Sequence, residues 1–224
     1  MKLYVVRHGE TPYNVAQVAC GTGDAPLTET GIRQAKELAG YIRQHQAELA
    51  IRHIVVSNLL RARQTCRYVE QALGLQAVVD ERFHELSVGD YLGLRTDAET
   101  FEVKRYRAMR SEPFVRLAGG ESFADTLVRV YPALDEIKRT YAGENVLIIC
   151  HETIMRTIAT YFGSFAIDSL EAYTAKNCQM NVFDMEDGRV VPPSCVPLSE
   201  ERMGKETGGI LASVRRGGIG TGNS

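Results

Sequence analysis

The chain has 224 residues, 26 of them Lys or Arg and 28 Asp or Glu, for a formal net charge of −2 at pH 7. Hydrophobic residues make up 44% and charged residues 24%, the proportions of a soluble globular protein that can bury a core without disulfide or metal staples. Near-neutrality excludes bulk attraction to nucleic acid or an anionic membrane, so any anion must be caught by a local group of basic side chains. No stretch reaches membrane-spanning length, and the apolar run in Met1–Arg7 is too short for a signal peptide. The five cysteines, Cys20, Cys66, Cys150, Cys178 and Cys195, are odd in number and show no C-x-x-C spacing. A cytoplasmic setting is therefore expected, with most thiols serving as small buried hydrophobes.

Lys2–Val6 is short, β-branched and aromatic, which suits a buried strand. Ile32, Ala35, Leu38, Ala39 and Ile42 recur at helical spacing and predict a helix over 28–46, with Thr28 as its N-cap. His53–Ser57 reads as a second strand, Leu59–Leu73 as a helix closed by Gly74, and Leu75–Val79 as a third strand. Phe83–Leu94 has no clean period, and Thr96–Met109 is helical but strongly charged. The clearest helix covers Ser122–Tyr141, where Phe123, Leu127, Val130, Leu134 and Ile137 form one face and Pro132 is expected to introduce a kink. Asn145–Cys150 is an apolar strand followed by a helix over about 153–162. Gln179–Met185 and Arg189–Val191 read as a hairpin across Asp187-Gly188. This alternation predicts an α/β fold: a three-layer α/β/α sandwich whose central sheet is largely parallel, with an antiparallel edge strand. One domain is expected over 1–191. The Pro/Gly-rich tail 192–224 is expected to be loosely ordered or bound to a partner.

Ligands of open α/β sheets bind beyond the carboxyl ends of the strands. Past the first strand come Arg7, His8 and Gly9, past the second Ser57 and Arg61, and past the fourth His151. Three strands thus deliver cationic or imidazole groups to one edge, which describes an anion pocket. Two guanidiniums and two imidazoles suit a phosphoryl group, whose oxygens accept forked, charge-assisted hydrogen bonds. Gly9 permits close backbone approach, and Thr11 and Asn14 offer neutral hydrogen-bonding groups. A neutral imidazole can attack phosphorus and form a phosphoramidate that water later hydrolyses. Arg7 and Arg61 are expected to keep that imidazole neutral by like-charge repulsion. The leaving alkoxide needs a proton, which a carboxylic acid can supply.

Arg7-His8-Gly9-Glu10-Thr11 with Asn14 resembles the signature of the histidine phosphatase superfamily, which includes the phosphoglycerate mutases. Asp24–Gly31, Ser57–Thr65, Glu85-Leu86 with Gly89 and Gly93, Gly120-Glu121-Ser122 and Val146–His151 resemble its further motifs in the same order. The resemblance spans residues 2–190 and implies a phosphoglycerate mutase-like fold. It also implies His8 as the phosphorylated nucleophile, Arg7, Arg61 and His151 as holders of the phosphoryl group, and Glu85 as the proton donor. Asn14, Thr11, Cys20 and Gly21 fall where the family lines its substrate site. No metal and no other cofactor is implied, and the expected partner is a small phosphorylated metabolite, with a homodimer as the default assembly. The family usually has a glycine after its second histidine; here that residue is Glu152. Only about thirty residues separate Glu85 from Gly119, shorter than the insertion of the mutases, so the resemblance points to the phosphatase branch. A 2,3-bisphosphoglycerate-dependent phosphoglycerate mutase and a catalytically silent phosphate-binding module are the alternatives. His45, His53, His84 and the basic stretch Lys104–Arg110 are expected to lie outside the site.

Overall fold

The computed structural model describes residues 1–167 and 173–186 and the backbone of 190–191. The turn 187–189 and the tail 192–224 named above lie outside the described residues. Six strands form one sheet in the order β3-β2-β4-β1-β5-β6: β1 (Lys2–Arg7), β2 (Ile51–Val56), β3 (Ala77–Val79), β4 (Asn145–Cys150), β5 (Met180–Asp184) and β6 (Val190–Val191). β1 pairs in parallel with β4, from Leu3 opposite Val146 to Arg7 opposite Cys150. β4 pairs in parallel with β2, and β2 with β3. β5 runs antiparallel along the other side of β1, with Val6 opposite Met180, and β6 continues antiparallel at that edge. The runs Leu3–Val6 and Val146–Cys150 are buried on both faces, so their text is continuously apolar rather than alternating.

The helices are α1 (Pro12–Val15), α2 (Glu29–Gln44), α3 (Gln46–Leu49), α4 (Leu60–Leu73), α5 (Phe101–Ser111), α6 (Phe123–Thr140) and α7 (Glu152–Tyr161). On one face Leu3, Val5, Val146 and Ile148 pack with Val130, Leu134 and Ile137 of α6 and Ile154 and Ile158 of α7. On the other, Tyr4, Val6, Leu147 and Ile149 pack with Leu38 and Ile42 of α2 and Ala62, Cys66 and Val69 of α4. The expected three layers are thus present. A third cluster of Ala19, Leu86, Val88, Tyr91, Tyr106 and Leu117 seats α5 on the loop after Glu85. Among the described residues no helix is long and apolar enough to cross a membrane.

Two helices differ in their bounds from the sequence reading. The helix expected over 28–46 divides at His45, and α3 ends at Ala50 in the left-handed conformation (φ 45°). The charged helix begins five residues later than expected because the Thr100 hydroxyl caps the N–H of Val103, while Thr96 bonds back to the Gln17 carbonyl. Pro132 lies within α6, where the sequence reading placed it, and removes the N–H that would reach Val128.

Candidate active site

His8 leaves β1 with its N–H bonded to the Cys150 carbonyl at 3.0 Å, which ties it to the end of β4. The residue is 4% exposed. Its Nδ1 lies 2.7 Å from the Gly9 carbonyl oxygen, a contact that only an Nδ1–H can make favourable. Nε2 then carries the in-plane lone pair of a neutral ring, and it accepts from Arg61 Nε–H at 3.2 Å. The pKa of His8 is held well below its usual 6.5, first by burial and then by Arg61 and Arg7. The repulsion expected from sequence is present, but removal from water is the larger cause. Gly9 is required by contact: a Cβ there would stand 2.6 Å from the Gly31 carbonyl oxygen at the start of α2.

Arg61 is 2% exposed and comes from the first turn of α4. Its Nη1 and Nη2 donate to the carbonyls of Gly23 and Gly21, each at 2.7 Å. Gly21 presents that carbonyl from a left-handed backbone (φ 49°) where a Cβ would meet Val88 N at 2.7 Å. Arg7 donates from Nη1 to the Ala175 carbonyl at 2.5 Å and pairs with Glu152 Oε2 at 2.6 Å. His151, fully buried, packs its ring 5.1 Å from that of His8 and sets Nε2 2.8 Å from the Ser57 hydroxyl. Burial, then Arg61, also holds its pKa well below 6.5. Arg7 Nε and His151 Nδ1 are buried without a hydrogen-bond partner, which is rare unless a ligand or water completes the site.

A cleft of about 300 Å³ opens beside these groups. Its lining includes Arg7 and His8 from the end of β1, Arg61 from the first turn of α4, Thr11 and Asn14 from the cap and body of α1, and Cys20, Gly21 and Glu85 from the loops. His151 stands behind His8 rather than on the cleft wall. Glu85 accepts the Leu86 N–H at 2.7 Å and, from the start of α7, the Thr153 N–H at 3.2 Å. The other glutamates of comparable loops, Glu81 and Glu121, do not line the cleft; Glu121 is committed to Arg129 and the Ser87 N–H.

Thr11 and Asn14 cap α1 reciprocally, with Asn14 Oδ1 accepting from Thr11 N–H and hydroxyl. Their cleft-facing role is thus shared with a structural one. Cys20 is half-buried, and its thiol donates to the Gly23 carbonyl at 3.0 Å.

Several lining or supporting groups lie outside the expected set. Arg110, expected above to lie outside the site, lines the cleft with Tyr106 and donates to the Thr153 hydroxyl at 3.2 Å. Tyr106 is 8% exposed and sits one helical turn before Arg110, so the two share a face. The segment before β5 also reaches the site. Cys178 N–H donates to the Arg7 carbonyl at 3.0 Å from a left-handed backbone (φ 56°), and Asn177 Nδ2 donates to the His8 carbonyl at 2.9 Å.

Comparison with known proteins agrees with this geometry. The probable phosphoglycerate mutase GpmB of Yersinia pestis (strain Pestoides F) is 31% identical over 189 residues, 84% of this chain and 86% of that protein. Among solved structures, the mycobacterial glucosyl-3-phosphoglycerate phosphatase in complex with VO3 superposes with a TM-score of 0.72 at 26% identity, covering 82% of this chain and 92% of the other. Bacillus stearothermophilus YhfR gives a TM-score of 0.74 at 27% identity, covering 87% and 95%. The family model of the histidine phosphatase superfamily (branch 1) matches residues 3–194. With that match over strands, helices and cleft alike, the chain belongs to the histidine phosphatase superfamily.

Proposed function

We propose that the protein is a metal-independent phosphomonoesterase acting on small phosphorylated metabolites through a phosphohistidine on His8. The observation that carries this reading is the buried, neutral His8 ring, whose Nδ1–H is committed to Gly9 so that Nε2 is the reactive nitrogen. In the first step Nε2 attacks phosphorus, the P–O ester bond breaks, and protonated Glu85 gives its proton to the leaving oxygen. In the second, the Glu85 carboxylate takes a proton from water, water oxygen bonds to phosphorus, and the P–N bond breaks with its electron pair returning to Nε2. Arg7 and Arg61 meet the charge on the transferring oxygens, and the unpartnered His151 Nδ1 adds a further hydrogen-bonding group beside His8. Phosphate release in EDTA, an acid-labile phosphoenzyme, and loss of both in His8→Ala are the expected results. Activity persisting in His8→Ala would overturn the reading.

The 31% identity to a protein named probable phosphoglycerate mutase favours a second reading, phosphoryl exchange between 2- and 3-phosphoglycerate. The short segment between Glu85 and Gly119 favours hydrolysis. Interconversion stimulated by 2,3-bisphosphoglycerate, with little net phosphate release, would replace the first reading by the second.

A further inference from the structure

Arg7 does not meet the cleft with its whole guanidinium. Nη1 donates to the Ala175 carbonyl at 2.5 Å and is ion-paired with Glu152 Oε2 at 2.6 Å. Nε is buried with no partner, and Nη2 makes no hydrogen bond to the described residues. Nε–H and one Nη2–H project in parallel, the fork that matches two oxygens of one phosphoryl group. Glu152 is in turn placed from behind. It is the first residue of α7, and its Oε1 stands 3.9 Å from Arg156 Nη2. Arg156 is 8% exposed, donates to the Tyr173 carbonyl at 3.0 Å and lies over the Tyr173 ring. A carboxylate in a first helical turn is already stabilised by the helix dipole and needs no cation. Here it reaches into the cleft wall and takes one corner of the arginine beside His8.

We propose that Glu152 is a positioning residue: by holding Nη1 it turns the Nε–Nη2 edge of Arg7 toward the phosphoryl group. The inference rests on the reading of the cleft as a phosphoryl pocket. The same contact places a negative charge against a cation that grips phosphate, which weakens the hold on the dianionic product and speeds its departure. Geometry and charge are thus supplied by one side chain, and they separate in different variants.

Glu152→Gln keeps an oxygen where Nη1 needs it and removes the charge. Glu152→Asp keeps the charge but withdraws the carboxylate by one methylene. Inorganic phosphate affinity by calorimetry and kcat on a phosphomonoester are measured for the full-length chain and both variants. Positioning predicts that Glu152→Asp loses about 10- to 100-fold in kcat, the scale of a misplacement near one ångström, and binds phosphate more weakly. Glu152→Gln retains more kcat than Glu152→Asp and binds phosphate more tightly than the parent chain. In an Arg7→Ala background the Asp substitution has no further effect on phosphate affinity, because the partner it positions is gone. A Glu152→Asp protein that matches the parent while Glu152→Gln differs would show a role in charge alone and overturn the proposal, as would two variants indistinguishable from the parent. Phosphate affinity needs no turnover, so this test and the His8→Ala test can fail separately.

Discussion

The inner end of the cleft and its outer wall are built by different means. Inside, His8, Arg61 and His151 are 4%, 2% and 0% exposed and stand just past the ends of β1, β2 and β4. Their fixed partners include the Gly9, Gly21 and Gly23 carbonyls and the Ser57 hydroxyl. Outside, α5 brings Tyr106 and Arg110 to the lining, while its flanks carry exposed pairs such as Arg107–Glu99 and the exposed rings of Phe101 and Phe114. Exposed pairs of that kind contribute little to stability. The inner groups therefore depend on the strand ends, whereas part of the outer wall depends on α5 and its exposed flanks.

Beyond His8→Ala, substitutions ordered by effect probe this division. Glu85→Gln should cost about 10²- to 10⁴-fold in kcat for alkyl phosphates, the usual worth of a positioned proton donor. The loss should shrink sharply for p-nitrophenyl phosphate, whose leaving oxygen needs no proton; equal losses on both substrates would remove Glu85 from that role. Ser57→Ala leaves a buried His151 nitrogen without its partner and should cost about 1–3 kcal/mol of stability, read as a lower Tm. An unchanged Tm would mean that the inner pocket is less committed than its contacts imply. Arg110→Ala should raise KM about 10-fold for substrates carrying a second acidic group, with kcat little altered. A kcat effect as large as that of Glu85→Gln would erase the distinction between inner pocket and outer wall.

The smallest effect is on stability against pH. His8 and His151 have folded-state pKa values below 6.5, so below that pH the unfolded chain binds protons that the native one does not. Their contribution is present above pH 6.5 and is lost as pH falls from there toward the folded values. Melting curves between pH 7.5 and 5.5 should accordingly fall less steeply for His8→Gln than for the parent, and parallel curves would contradict the buried neutral ring.

Much of the inner pocket was legible because strand exits can be read from apolar runs. Arg7, His8, Ser57 and His151 each follow one, and the continuity of Val146–Cys150 announced a strand buried on both faces. Arg110 was not legible because α5 is charged all round; its buried positions, Val103 and Tyr106, are too few for a clear period. The spacing Val103, Tyr106, Arg110 nonetheless follows one face. Ala175 and Cys178 act through main-chain atoms on a residue about 170 positions away, and backbone donors and carbonyls leave no trace in side-chain pattern. The division of the 28–46 helix at His45 was likewise hidden, since its apolar spacing ends at Ile42.

Because β5 is antiparallel to β1, its entrance rather than its exit lies at the cleft end of the sheet, with Met180 opposite Val6. In chain order, the strand that carries His8 therefore precedes by about 170 residues the segment that closes around it. A nascent chain ending after α7 contains β1 to β4 and the helices of both layers, but Arg7 Nη1 lacks the Ala175 carbonyl and the His8 carbonyl lacks Asn177. Synthesis thus passes through a stage at which both helix layers are present while the main chain of Arg7 and His8 still lacks its partners from 177–178, and the cleft is complete only once that segment has emerged.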